Sequence, residues 1–249
     1  MARIATWNIR WGGLAGPDRI TEEIVRANPD LLVITEYQRG VSDALLARLH
    51  ASGWTEQVNS APVGRGGGVA IVSKTPFSES GKGMVAVPTG ISSRVQAVRW
   101  RGLDMLGVYA PLGELAATFW PVLIAAVAPA NSNTIILGDL NTGVSLVDSP
   151  KDNFFCSNHF VALKDSGFVD LFRAKNGDEA REYSWFSTAN NGHRLDHVLS
   201  TADVVEAVRR CGYDHGPRER ASSDHSMLLL ELDDAALDEG GALAGRSTA

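Results

Sequence analysis

Thr134–Gly143 reads TIILGDLNTG. Ile135, Ile136 and Leu137 form a branched apolar run of the kind that fills a strand buried on both faces. Gly138 ends the run, and Asp139, Leu140 and Asn141 follow at once. A carboxylate and a carboxamide at the mouth of a buried strand are costly there without partners. The same arrangement recurs along the chain. Asn8 follows IATW, Glu36 follows LLVIT, Tyr109 follows MLGV, Asp196 opens LDHVLS, and Asp224 and His225 precede SMLLLEL.

Around these motifs the 249 residues punctuate regularly. Residues 16–29 predict a helix bounded by Pro17 and Pro29, with Ile20, Ile24 and Val25 on one face, and residues 41–53 predict a second helix closed by Gly53. GGVAIVSK follows a glycine-rich loop, and SRVQAVRW and LDMLGVYAP read as a hairpin turned at Arg101-Gly102. Residues 114–129 are largely helical, with Pro121 expected near a helix start or at a kink. At least one helix is expected between Asp152 and Phe172. EYSWFS, LDHVLST, DVVEAVRRC and SMLLLELD read as strands. Early strands alternate with helices and later ones cluster, which fits a mixed α/β domain with sheets packed on each other and helices outside. One domain over 1–234 is expected, with a disordered tail over 235–249, where the sequence is small, polar and glycine-rich.

Composition bounds the function. Hydrophobic content of 44% and charged content of 21% are globular values. No apolar run reaches the ~18 residues that span a bilayer, and with strand-like RIATWNI at the start, a chain that is not secreted is expected. The two cysteines, Cys156 and Cys211, lie far apart and outside any metal-type spacing, so two buried free thiols in a reducing cytoplasm are expected. Net charge is −6, which counts against a binder that grips long nucleic acid mainly through phosphates. It leaves room for an enzyme that meets a few phosphates through metal ions.

Carboxylates, amides, a phenol and an imidazole at strand ends, with no cysteine among them, suit a hard cation such as Mg2+ or Mn2+ better than zinc. Taken in order, TWNI, ITE, YAP, GDLN, RLDH and SSDH run from residue 6 to 225 and resemble the endonuclease/exonuclease/phosphatase superfamily, the deoxyribonuclease I-like fold. The resemblance implies a four-layer α/β sandwich: two mixed β-sheets face to face, helices outside. It implies metal-dependent hydrolysis of a phosphate ester. Glu36 would be the main metal ligand with Asn8 beside it, and Asp224 a further ligand or a partner behind the ligands. Asp139 would align or deprotonate the attacking water, and Asn141 would hydrogen-bond the phosphate. His225, oriented by Asp196, would stabilise charge in the transition state, and Tyr109 would hold the phosphate or the leaving group. His197, one residue on from Asp196, faces the other way along its strand and reads as packing. His159, His193 and His215 read as loop or surface residues.

Within that superfamily, Tyr109 in YAP and the stretch YSWFS before RLDH are similar to the exonuclease III and apurinic endonuclease branch. Trp185 and Phe186 would then line the substrate pocket, or else be core aromatics. Other features depart from the branch. Leu112, Gly113 and Glu114 lead into an apolar helix where a basic one is usual, and Trp185 to Asp196 is short. Arg10 stands where Asp or Asn is common, and NIR is similar to phosphatase-like members. Arg10 would meet a substrate phosphate or pair with an acid. Among the other basic residues, Arg65, Arg94, Arg209, Arg210, Arg218 and Arg220, the stretch leading into SSDH puts Arg218 and Arg220 at the border of the site or in a solvated loop. The expectation is a monomeric nuclease acting on nucleic acid, DNA first. Its alternatives are a hydrolase of small or lipid phosphate esters and a non-catalytic binding module, which the filled catalytic positions oppose.

Overall fold

The computed structural model describes residues 1–60, 67–79, 86–128, 133–151, 154–234 and Leu237. Arg65, most of the glycine-rich loop and the tail beyond Asp234 apart from Leu237 lie outside the described residues. Leu237 is buried against the central core.

Two mixed sheets form the centre. The first contains β1 (Ala2–Asn8), β2 (Leu31–Tyr37), β3 (Glu56–Asn59), β4 (Gly68–Ser73), β12 (Val208–Asp214) and β13 (Met227–Leu232), in the order β12-β13-β1-β2-β4-β3. The second contains β5 (Val95–Trp100), β6 (Leu103–Tyr109), β7 (Thr134–Asp139), β8 (Phe168–Asp170) and β11 (Asp196–Thr201), in the order β5-β6-β7-β11-β8. β1 runs parallel to β2, and β6 parallel to β7; the remaining pairings are antiparallel. A small hairpin joins β9 (Trp185–Phe186) to β10 (Gly192–His193).

Side chains alternate between two cores along each strand. Ile4, Leu31, Val33, Ile135, Leu137, Leu228 and Leu230 point into the layer between the sheets. Trp7, Leu32 and Ile34 point outward, under α1 (Pro17–Ala27) and α2 (Asp43–Ala51). Ile136 and Leu199 point outward from the second sheet, under α3 (Glu114–Val127) and α4 (Ser157–Asp165). The unbroken apolar runs are thus strands covered on both faces, and each buried Ile or Leu contributes about 1.5–3 kcal/mol. The four-layer sandwich is the fold. Among the described residues no helix is long and apolar enough to cross a membrane.

Local departures have physical reasons. Val25 is exposed; α1 buries Ile20, Glu23, Ile24 and Ala27, because the helical turn carries residue 25 off the inner stripe. Pro121 sits inside a continuous α3 rather than near its start. EYSWFS contributes only the two residues of β9, and Asp203 belongs to a 3-10 turn (Ala202–Ala207) ahead of β12. Short α5 (Leu171–Asn176) and α6 (Gly216–Glu219) complete the chain.

Gly138 has φ +147, and a Cβ there would sit 1.9 Å from the Val108 carbonyl oxygen of the neighbouring β6. The glycine of GDLN therefore lets β7 lie flat against β6 while delivering Asp139. Gly138→Ala should cost about 3–5 kcal/mol, because backbone rather than a movable side chain must yield. Urea unfolding of the variant, or its failure to accumulate as folded protein, measures this.

Candidate active site

The inner-face alternation does not stop where the apolar residues stop. Asn8 continues the inner row of β1, Tyr109 that of β6, Asp139 that of β7 and Asp196 that of β11. The C-terminal ends of β1, β2, β6 and β7 and the start of the antiparallel β11 share one edge of the sandwich; His225 stands just before β13 at the same edge. Glu36 would face outward by strict alternation. A β-bulge between Thr35 and Tyr37, with Glu36 at φ 58, turns it to the site instead. A non-glycine residue held there is strained, and such strain concentrates at functional positions.

The Asn8 carboxamide links the sheets. Its Nδ2 donates to Glu36 Oε1 at 3.0 Å and to Asp139 Oδ2 at 2.8 Å. Tyr109 Oη donates to Glu36 Oε1 at 3.2 Å. Burial and the Glu36 charge raise the Tyr109 phenol, so it stays protonated at neutral pH. Asp139 Oδ1 accepts the Asn141 backbone N–H at 3.0 Å, and the Asn141 side chain donates to the Ala110 carbonyl at 2.8 Å. Asn141 is in the left-handed region at φ 50, a conformation its residue type tolerates.

Asp196 and Asp139 face each other directly across the β7–β11 ladder. Like charges so placed repel. Burial and the Asp196 carboxylate push Asp139 up to about 7. The His225 Nδ1 lies 2.8 Å from Asp196 Oδ2. Burial opposes charge on the imidazole, but the Asp196 carboxylate outweighs it, and His225 is raised to about 10. Asp196 Oδ1 is buried with no hydrogen-bond partner among the described residues. Ser223 donates to the Asn8 carbonyl at 2.7 Å and accepts the His225 N–H at 3.2 Å, tying the SSDH turn to β1.

The predicted substrate-side residues form one wall. Trp185 makes a bridge to the His225 backbone and donates from Nε1 to Asp224 Oδ2 at 3.3 Å. Phe186 is half-buried under the Arg218 guanidinium, 4.6 Å from the ring centroid. Arg10 pairs with an acid: its Nε lies 3.7 Å from Asp224 Oδ2, with the side chain half exposed. Arg94 lies over the Tyr109 ring at 4.7 Å. Arg220 does not border the site, since it pairs with the buried Glu23 at 2.6 Å. His193 is buried rather than superficial, with its ring 5.7 Å from that of Trp185. His197 packs on Phe160 and bonds the Thr142 carbonyl at 2.8 Å; burial and then the Arg194 charge lower it to about 4, so it is neutral.

Unread in the sequence is the cluster behind this site. Arg194, fully buried, bonds Asp148 at 2.7 Å and forks onto both oxygens of Asp170. Arg173 completes the cluster on Asp148. Burial alone would raise both carboxylic acids, but Arg194 outweighs it and holds them below the ordinary range. The cluster clamps the loop after β7 to the start of β11, so it sets Asp139 against Asp196. The only sequence signal was an arginine immediately ahead of LDH.

The site can be tested for a cation. Glu36, Asp139, Asp196 and Asp224 converge on it, against Arg10 and His225 as nearby positive groups. That leaves a surplus of negative charge at the edge, and burial together with the Asp196 carboxylate raises Asp139 to about 7. The donors are all oxygen, as a hard divalent ion requires. Among the described residues no group of three or more His, Cys, Asp and Glu side chains surrounds one point. Mg2+ bound by one carboxylate, a neutral amide and water does not need such a group. The oxygen donors at this edge fit such an ion.

Fold and site together define a phosphoric ester hydrolase. Residues 5–225 match the model of the Endonuclease/Exonuclease/phosphatase family, and the chain belongs to that family, whose members are generally divalent-metal dependent. An AP endonuclease from Archaeoglobus fulgidus is similar, with TM-score 0.81 and 23% identity over 94% of this chain and 100% of that one. So is a 3' phosphatase from Neisseria bound to a product DNA hairpin, with TM-score 0.79 and 24% identity over 94% and 100%. A 3'-5' exonuclease from Neisseria meningitidis gives TM-score 0.78 and 25% identity over 93% and 99%.

Two outcomes check this geometry. In metal-free protein the His225 ring resonances should titrate near 10, and Asp196→Asn should bring them down towards 6.5 by NMR. Because the folded value lies above the unfolded one, the pair stabilises the fold fully below pH 6.5, and that stability fades as pH rises through about 10. Arg194→Ala should cost about 3–5 kcal/mol in urea unfolding, since it leaves the buried Asp170 carboxylate without its cation.

Proposed function

We propose that this chain is a Mg2+- or Mn2+-dependent phosphodiesterase that hydrolyses nucleic acid, DNA first, as an endo- or exonuclease. The observation that carries this reading is the Asn8 amide holding Glu36 and Asp139 together opposite the Asp196–His225 pair, beside the Trp185 wall. The DNA bound to the Neisseria 3' phosphatase and the activity named for the Archaeoglobus endonuclease support nucleic acid as substrate.

The residues divide the work. Glu36 and Asn8 hold the cation, with Asp224 as a further ligand or as the partner that keeps Trp185 and Arg10 in place. When bound, the cation supplies positive charge against the phosphate oxygens. Asp139 orients the attacking water and takes its proton as the new P–O bond forms and the bond to the leaving oxygen breaks. Asn141 donates to a phosphate oxygen. His225, kept cationic by Asp196, stabilises charge on the phosphorane oxygens. Tyr109 holds the phosphate or the leaving oxygen. Trp185, Phe186 and Arg218 line the side where the nucleoside lies, and Arg10, held by Asp224, borders it. The site is complete within one chain, which supports a monomer; two free buried thiols support a cytoplasmic location.

A second reading, hydrolysis of a small or lipid phosphate ester, is favoured by one observation. Leu112 and Leu115, next to Tyr109, are exposed where a DNA-gripping helix would carry cations.

Labelled single-stranded, duplex and abasic DNA, incubated with Mg2+ or Mn2+, should be cleaved by the pure protein. No cleavage, alongside phosphate release from sugar, nucleotide or inositol phosphates, selects the second reading. Glu36→Ala should lower metal-dependent turnover roughly a thousandfold or more, equivalent to about 4 kcal/mol, in protein that circular dichroism still reads as folded. Unchanged rates at saturating Mg2+ would remove Glu36 from the metal site.

A further inference from the structure

We propose that the exposed indole of Trp11 is a stacking platform for an unpaired nucleobase next to the scissile phosphate; this rests on the nucleic-acid reading above. Trp11 is 67% exposed, an unusual state for so large an apolar ring. It is not loosely held. Arg10, Trp11, Gly12 and Gly13 take φ of 58, 49, 77 and 92, four successive residues in the left-handed half of conformational space, two of them not glycine. L residues avoid that region unless surrounding bonds impose it.

Here the bonds come from the active site. The Arg10 N–H donates to Asn8 Oδ1 at 2.9 Å, and the Trp11 N–H donates to Glu36 Oε2. The Gly12 N–H donates to the Glu36 carbonyl at 2.9 Å, and Ser42 Oγ donates to the Gly12 carbonyl at 2.9 Å. The strained turn is therefore built on the two proposed metal-holding residues and carries the exposed indole. A side chain kept exposed and kept in register with the reacting centre is placed to meet substrate.

The surroundings identify what it meets. Leu112, Leu146 and Phe155, on the loops after β6 and β7, are exposed as well. Arg10 on the same turn is engaged by Asp224. The indole itself offers apolar and π contact rather than charge. A base joined through its sugar to the bound phosphate presents a flat apolar face within that reach, and every base has one. In a duplex those faces are covered by neighbouring bases, so the platform selects single-stranded or frayed nucleotides.

The test compares a single-stranded oligonucleotide with an oligomer of equal length made of base-free sugar phosphates. Trp11→Ala should reduce kcat/KM on the oligonucleotide about 5- to 150-fold more than on the base-free chain. Trp11→Phe should recover most of the loss. Anisotropy of a labelled oligonucleotide in EDTA should show the same loss of binding without turnover. Val25→Ala, on the outer face of α1, should change neither substrate. Equal losses on both chains would mean that Trp11 acts only through Glu36 and would overturn the proposal, as would no loss on either. Loss of binding to phosphatidylcholine vesicles with oligonucleotide cleavage spared would make the rim a membrane contact and overturn it too. If the wild type cleaves neither chain, the nucleic-acid reading itself fails and the inference falls with it; wild-type cleavage indifferent to Trp11→Ala sinks the inference alone.

Discussion

One carboxamide, that of Asn8, joins the two sheets where their apolar contact ends. It is fully buried on β1 and donates to Glu36 on its own sheet and to Asp139 on the other. Two acids that would otherwise repel are thereby fixed a hydrogen bond from a single neutral group. The cost of that arrangement is visible in Asp139, raised to about 7 by burial and by Asp196. Only added positive charge relieves it, and His225 meets part of the need. The family to which the chain belongs is generally divalent-metal dependent, and a divalent ion is the other kind of charge that would do so.

The charges behind and in front of this point are treated differently. Behind it, Asp148, Asp170, Arg173 and Arg194 neutralise one another completely in a dry interior. Such clusters contribute little net stability but make departures from one geometry expensive. In front, the acids outnumber the cations. Glu36, at its bulge, and Arg10 and Trp11, in the turn after β1, are held at positive φ at the mouth. The compensated cluster fixes the loop after β7 against β11, and the uncompensated acids stand at the open edge.

Much of this was legible in the sequence because it is local. A period of two carries Asn8, Tyr109, Asp139 and Asp196 onto the same inner face as the apolar residues preceding them, and the eye finds them by where the apolar run breaks. Glu36 was found by the same break, although it reaches the site only through a bulge that alternation does not foresee. What stayed hidden depends on distance in sequence. Arg194 meets Asp148 and Asp170 across 46 and 24 residues, and no local pattern announces such a pairing. β3 and β8 are too short to show a period. His193 was read as superficial because its burial comes from Trp185 and Phe154, on other segments. The exposure of Trp11 was equally unreadable, since TWNIRWGG looks like the end of an apolar strand.

The claim on which the rest stands is that Asn8 and Glu36 hold a divalent cation at the seam of the two sheets. Anomalous diffraction at the manganese edge, from crystals of the wild-type protein soaked in Mn2+, tests it most directly. The account predicts a peak bonded to the Glu36 carboxylate and the Asn8 amide oxygen, and its loss in Glu36→Ala crystals. A peak at another cluster, or none at this seam at saturating Mn2+, would contradict it.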